Sequence, residues 1–368
     1  MNSTPAERLV ERRERLRRTL AVQKADRTPV ILQSNSFSAV QQGVPLATFC
    51  ESVRNSHAVM LASVKDLDCD GFNTAFSEAP FFPMIIGSRI KLPGRDLPPD
   101  QLWMIDESEV MTTLDYDTII AKGWNAFFPA FLKERLGFDL DGALAQLEFR
   151  NAAVANFEAA GYLVYSKAVA TSVNEFFGGG RSMAAFMRDL YRIPDKVQAA
   201  IDVALEETLP RLRAQIRELK PTVCFLSPAR GAPEFFRPKL WERFVWRYVK
   251  AMADVIIEEG AVCSLHCDGD WGRELSVFLD FAPGTVVFET DGVTDVRKAR
   301  EVFGSRVAIK GDVPATSLVL GQPDEIYAYC TNLIRDIGPG LILSTGCSVP
   351  PNAKPENIRA LIAAAKDN

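Results

Sequence analysis

The chain has 368 residues, 47% of them apolar and 24% charged, enough to bury one large core or two ordinary ones. A formal charge of −5, with no dense run of Lys or Arg, argues against nucleic acid or an anionic membrane surface as the main partner. No stretch approaches the roughly 18 apolar residues of a membrane span and the N-terminal region has no signal-peptide core, so a cytoplasmic protein with reduced cysteines is expected.

In chain order, residues 5–24 read as a charged helix whose arginines, Arg12 to Arg18, form a solvated face. Residues 30–33 read as a short buried strand, 47–66 as a helix and 71–76 as a second strand. Prolines 80, 83, 93, 98 and 99 then break the rhythm, and helical stretches follow near 115–135 and 141–160. From Tyr162 the alternation is regular. Strands are expected at 163–169, 222–227, 261–267, 285–290, 307–312 and 340–346. Helices are expected at 181–219 (with Pro210 as a kink), 239–259, 271–281, 294–303, 323–337 and 355–366.

The strands are mostly continuous apolar runs, which means burial on both faces in a parallel sheet covered by helices. Eight such units predict an α/β fold, a (β/α)8 barrel of TIM type, with 1–368 as one domain and 77–160 as a long insertion after the second strand. No GxGxxG follows a strand, so a dinucleotide fold lacks its fingerprint.

Chemistry in such a barrel sits at the C-terminal ends of the strands. There lie His266, Asp268 and Asp270 after the fifth strand, Glu289 after the sixth, Asp312 after the seventh and Cys347 after the eighth. Residues two apart on a strand point the same way, so His266 and Asp268 both face the mouth while Cys267 points away. Asp268-Gly269 also suits a turn, and Cys347 reads equally as an inert buried thiol. The functional reading is a zinc site of His266, Asp268 and Cys347, with Glu289 as a possible fourth donor; without metal, His266 and Asp268 form an acid–base pair. Four Phe-Phe pairs form a second pattern. Phe81-Phe82, Phe176-Phe177 and Phe235-Phe236 follow strand ends, and they either pack the insertion or line an apolar substrate pocket in which Arg230 holds an anion.

The C-terminal part carries His266-Cys-Asp-Gly269, Ile309-Lys-Gly-Asp-Val-Pro314, Leu320-Gly-Gln-Pro-Asp-Glu-Ile326, Ser344-Thr-Gly-Cys-Ser-Val-Pro350 and Pro355-Glu-Asn-Ile358. Together these resemble the uroporphyrinogen decarboxylase superfamily, which implies a distorted TIM barrel and a homodimer. Its decarboxylases carry an Arg-Gln-Ala-Gly-Arg motif after the first strand; the stretch here, Ile31 to Ser38, has neither arginine. Its zinc-dependent methyltransferases, which work with corrinoid proteins, carry His-x-Cys after the fifth strand and Gly-Cys after the eighth. This chain matches at His266 and Cys347 and departs at Asp268. The resemblance therefore implies a corrinoid-linked methyltransferase acting on an O- or S-bound methyl group, such as that of a methoxylated aromatic, with zinc in the chain and cobalamin on a partner protein. The alternative is a metal-free decarboxylase or lyase, with Asp268, Asp270 or Asp312 as proton donor and Arg230 as anchor.

Overall fold

A computed structural model describes residues 3–368. Helix α1 (Pro5–Leu20) starts where Thr4 and Glu7 cap each other, the Glu7 N–H donating to Thr4 Oγ1 at 3.2 Å and the Thr4 N–H to Glu7 Oε2 at 2.7 Å. It stops short of the expected residue 24 because Val22 enters the left-handed region at φ 53°. Strand β1 (Ile31–Leu32) follows, then α2 (Ser36–Gln41), α3 (Leu46–Glu51), α4 (Val53–Leu67) and β2 (Gly71–Phe72). The helix expected over 47–66 is thus two. Ser52 is extended and its hydroxyl accepts the Asn55 N–H at 3.1 Å, which starts α4 afresh.

The proline-rich segment is more ordered than its sequence suggests. It holds α5 (Phe82–Ile86) and an antiparallel pair, β3 (Arg89–Lys91) with β4 (Met104–Asp106), strands too short and too polar to read by pattern. After it come α6 (Thr113–Lys122), α7 (Trp124–Glu134), α8 (Leu140–Leu147) and α9 (Arg150–Ala159).

The third barrel strand is kinked, with β5 (Leu163–Val164) pairing with β2 and β6 (Ser166–Thr171) pairing with β7 (Val223–Ser227). Three helices separate β6 and β7: α10 (Val173–Arg181), α11 (Met183–Arg192) and α12 (Pro194–Leu219), the last continuing through Pro210. Beyond lie α13 (Pro238–Trp241), a π-helical turn at Glu242–Trp246, α14 (Arg247–Glu258), β8 (Val262–Cys267) and β9 (Val286–Thr290). The chain finishes with α15 (Val296–Phe303), β10 (Ala308–Val313), α16 (Ala315–Leu320), α17 (Pro323–Ile337), β11 (Leu341–Thr345) and α18 (Pro355–Asp367).

Parallel pairing runs β1-β2-β5 and β6-β7-β8-β9-β10-β11, and the Val30–Leu343 bridge returns β11 to β1. This is the expected eight-stranded barrel. Where a helix was expected over 271–281, only a 3-10 turn forms at Leu275–Asp280. The Asp270 carboxylate takes the Gly272 N–H at 2.7 Å, competing with helix initiation, and buried Trp271, Trp241 and Phe278 fill the space instead.

Inside the barrel, Ile31, Leu163, Val223, Val287, Ala308 and Ile342 form an apolar layer, which Leu16 and Leu20 of α1 seal from below. That docking corrects the reading of the α1 arginines. Arg13, Arg17 and Arg18 are exposed, but Arg12 and Arg15 are buried against Asp70, whose partnership across more than fifty residues no local pattern shows. Among the described residues no helix is long and apolar enough to cross a membrane.

Candidate metal centre at the barrel mouth

Alternation along β8 decides what enters the barrel. Ser264 and His266 face inward, whereas Cys263, Leu265 and Cys267 belong to the outer core against the helices. His266 is 5% exposed, its ring lying 5.1 Å from that of Phe225 on β7. Asp268 follows two residues on and is half-buried, with Oδ1 at 3.2 Å from His266 Nε2.

Cys347 arrives from β11, three strands around the barrel. The turn that delivers it needs Gly346, because a Cβ there would lie 2.1 Å from the Asp291 carbonyl oxygen. The Gly346 N–H donates to Val313 O at 3.0 Å, and the Thr345 hydroxyl donates to the Cys347 carbonyl. One donor atom each from His266, Asp268 and Cys347 then lies within 4.8 Å of the other two.

Below them the barrel interior is polar. Glu289, 2% exposed on β9, lies 3.2 Å from His266 Nδ1, accepts from Lys310 Nζ at 2.6 Å and from Ser264 Oγ at 2.8 Å; the Tyr165 hydroxyl in turn donates to Ser264 at 3.1 Å. Burial would raise the Glu289 carboxyl, but Lys310 and His266 overcome it and hold it down at about 2. Burial likewise opposes a charged His266, yet Asp268 above all, with Cys347 and Glu289, keeps the imidazole well above its usual range.

This arrangement corrects the reading of Glu289 as a fourth donor. It sits side by side with His266 in the β8–β9 register and binds the other ring nitrogen, leaving Nε2 to face Asp268 and Cys347. A carboxylate on the far nitrogen fixes ring orientation and tautomer, the usual support of a ligating histidine. The donor set fits zinc. Bonds of about 2.0–2.3 Å place tetrahedral donors roughly 3.3–3.8 Å apart, so small rotations suffice, and the Asp268 side chain is 43% exposed and free to make one.

The sequence profile of the family described as uroporphyrinogen decarboxylase (URO-D) matches residues 167–368, more than half of the chain. The chain belongs to the uroporphyrinogen decarboxylase family. It is 27% identical over 198 residues to a uroporphyrinogen decarboxylase of Cellvibrio japonicus, covering 52% of this chain and 53% of that protein. It is 26% identical over 186 residues to the methylcobamide:CoM methyltransferase MtaA of Methanosarcina barkeri, covering 50% and 52%. The chain thus spans about half the length of the curated relatives it matches, and those relatives are enzymes of two kinds. A methyltransferase from Methanosarcina mazei shares the fold, with a TM-score of 0.72 at 18% identity over 96% of this chain and 97% of that one.

In this family member the other expected site residues lie elsewhere. Asp270 is exposed and caps the turn at Gly272, while Glu234 accepts its N–H at 3.1 Å. Asp312 turns away to α17, where its carboxylate accepts the Tyr329 hydroxyl at 2.8 Å; burial raises its pKa against that bond. Gly311 suits the turn, since at its φ of 140° an added Cβ would lie 3.0 Å from the Thr290 carbonyl oxygen. Neither carboxylate joins the convergent trio.

The Phe pairs divide. Phe81 and Phe176 line a cavity, Phe177 stacks between Tyr116 and Trp124, Phe236 is buried, and Phe235 is 54% exposed. Phe82 opens α5 and is half-buried. Arg230 is not free to anchor an anion, because the buried Glu175 on α10 takes both its guanidinium and its backbone N–H, the latter at 2.9 Å.

Glu175 is the residue the sequence did not announce. Burial, with the Asp268 carboxylate adding to it, pushes its carboxyl up to about 7 although Arg230 pulls the other way. A carboxyl whose folded pKa lies above the unfolded 4.5 stabilises the fold fully below pH 4.5 and loses that contribution as pH rises through 7. Melting temperature should therefore carry a downward slope between pH 5 and 8 that Glu175→Gln flattens. Thermal melts of both proteins across that range check it, and an equal slope in the variant would refute this assignment.

Proposed function

We propose that the protein is a zinc-dependent methyltransferase that moves a methyl group between a small molecule and a corrinoid-carrying protein. The observation that supports it best is the meeting of His266, Asp268 and Cys347 at the barrel mouth. His266 and Cys347 stand at the positions where the methyltransferase branch carries its His and its Gly-Cys, and one matching relative is named as a methylcobamide:CoM methyltransferase.

These three side chains would hold the ion, leaving a fourth position for an oxygen or sulfur atom of the substrate. When bound, zinc supplies a Lewis acid that polarises that atom, and a carboxylate in place of a thiolate makes it a stronger one. The chain's own residues do the rest. Glu289 holds the imidazole by Nδ1, Lys310 and Ser264 hold Glu289, and Phe225 packs on the ring face. Asp268, half-exposed, is the member of the trio that can move as substrate enters. Methoxylated aromatics are the first donors to test, and a homodimer is the expected assembly.

A metal-free decarboxylase is the weaker reading. Asp270 and Asp312 stand outside the trio, and the donors of Arg230 are taken by Glu175, which leaves Asp268 alone of its proposed machinery. The test is zinc analysis of the purified protein with methyl transfer to reduced cobalamin, followed by absorbance. About one zinc per chain and activity that chelation removes and zinc restores are expected. Carbon dioxide release by metal-stripped protein, or methyl transfer unchanged by stripping, would overturn the proposal.

A further inference from the structure

The barrel is not sealed all the way round. β2 pairs with β5 only through Gly71–Leu163 and Phe72–Val164, and the last bond of that seam is the Ser166 N–H to Asn73 O at 2.8 Å. The register slips between Ser166 and Ala168, and from there β6 is the terminal strand of the six-stranded sheet, without a ladder partner on the β2 side. An edge left open inside a barrel wall is ordinarily covered. Here it borders a cavity of about 460 Å³ that runs from the loop after β2 to α12 and is lined along the open edge by Val169, Ala170 and Thr171. That volume falls within the range of small-molecule sites.

The walls are chiefly apolar, and their aromatic side is organised. Trp124 and Phe128 stack at 4.6 Å with 16° between their planes, and Phe176 meets Phe128 edge-on at 5.0 Å. Two polar atoms on residues that line this space are buried without any hydrogen-bond partner: Ser166 Oγ, on a residue 3% exposed, and Arg150 Nε. Buried polar groups rarely go unpaired, so orphans lining one cavity point to an absent partner. The charged groups bordering it are mostly cationic. Lys167 is paired with Glu158 at 2.8 Å, and Arg150 reaches Glu218 at 3.2 Å through another nitrogen. Arg211 forms no ion pair among the described residues, the neighbouring Glu207 accepting the Asn125 N–H instead. The one acid in the lining, Glu78, is itself driven toward its neutral form by burial.

We infer that this open seam is a second ligand site, which takes a planar apolar molecule bearing one carboxylate, its ring against Trp124, Phe128 and Phe176 and its carboxylate on Arg150, Arg211 and the Ser166 hydroxyl. The site is separate from the trio at the mouth. Val169 and Thr171 are the β6 partners of Phe225 and Ser227, so the seam lies two strands from β8, roughly 10 Å away. It does not depend on the methyl-transfer reading, and its test needs neither metal nor activity.

The test is calorimetric titration of the metal-stripped protein with 2-naphthoate, with 2-naphthamide and octanoate as the neutral aromatic and the aliphatic acid. Naphthoate should bind, naphthamide and octanoate each at least tenfold more weakly. Arg211→Gln with Arg150→Gln should weaken naphthoate about tenfold and leave naphthamide unchanged. Ala170→Phe should abolish binding by filling the seam, and Leu144→Trp, at a residue 50% exposed on the rim, should narrow the entrance if the first variant misfolds. No naphthoate binding at millimolar concentration, or binding indifferent to the variant that folds, overturns the site. Octanoate binding as tightly as naphthoate overturns the aromatic assignment.

Discussion

Replacing Cys347 with Ala should lower zinc affinity about 100-fold and abolish methyl transfer while leaving the fold intact. The magnitude follows from sharing the binding energy. A full structural set of four ligands binds zinc with roughly 10–16 kcal/mol at neutral pH. A quarter of that is about 3 kcal/mol, or roughly two orders of magnitude. The fold should survive because Cys347 is only half-buried, and the turn that carries it is held by Gly346 and Val313 rather than by the thiol. Asp268→Cys should move affinity the other way, since it restores the His-x-Cys pattern on the same strand face. Competition with a chromophoric chelator measures both. Unchanged affinity in Cys347→Ala and in His266→Ala would sink the metal centre.

What was legible in the sequence was whatever depends on neighbours in the chain. Continuous apolar runs gave the parallel strands, and alternation along β8 placed His266 and Asp268 inward and Cys267 outward, as observed. Gly346 and Cys347 could be read because a glycine before a strand-end cysteine marks a tight approach. What stayed hidden depends on partners far along the chain. Glu289 reads as a donor until Lys310 and the far nitrogen of His266 are seen to hold it. Arg230 reads as an anchor until Glu175, fifty-five residues earlier, claims it. The open seam has no sequence signature at all, because one slipped register inside the apolar run Leu163 to Thr171 leaves the composition of a strand unchanged. Glu175 had one available signal, an acidic residue in the first turn of a helix at the barrel mouth, but nothing local shows that it is buried.

The largest stability effect should come from the opposite end of the barrel, at Asp70. Its carboxylate is fully buried and receives Arg15 at 2.5 Å, Arg27 at 2.8 and 2.9 Å, and the Val30 N–H at 2.8 Å, with Arg12 at 3.7 Å. Arg12 and Arg15 belong to α1, so this one side chain ties the helix that closes the barrel floor to the ends of β1 and β2. Removing one partner of a buried ionic cluster costs roughly 3–5 kcal/mol, because the remaining charges stay dehydrated and uncompensated. Asp70→Ala should therefore melt about 4–6 °C lower, taking roughly 2 cal/mol/K of unfolding entropy per residue over the chain. Asp70→Asn, which keeps an acceptor for the Val30 N–H, should lose less. Removing Arg15 as well should recover part of the loss, since a buried cation then disappears along with its partner. The proposed metal centre offers an internal control. It sits at the other end of the strands, so zinc affinity measured on the folded fraction should match the unaltered protein, whereas a fall in affinity alongside the melting temperature would mean that α1 supports the mouth through the barrel interior.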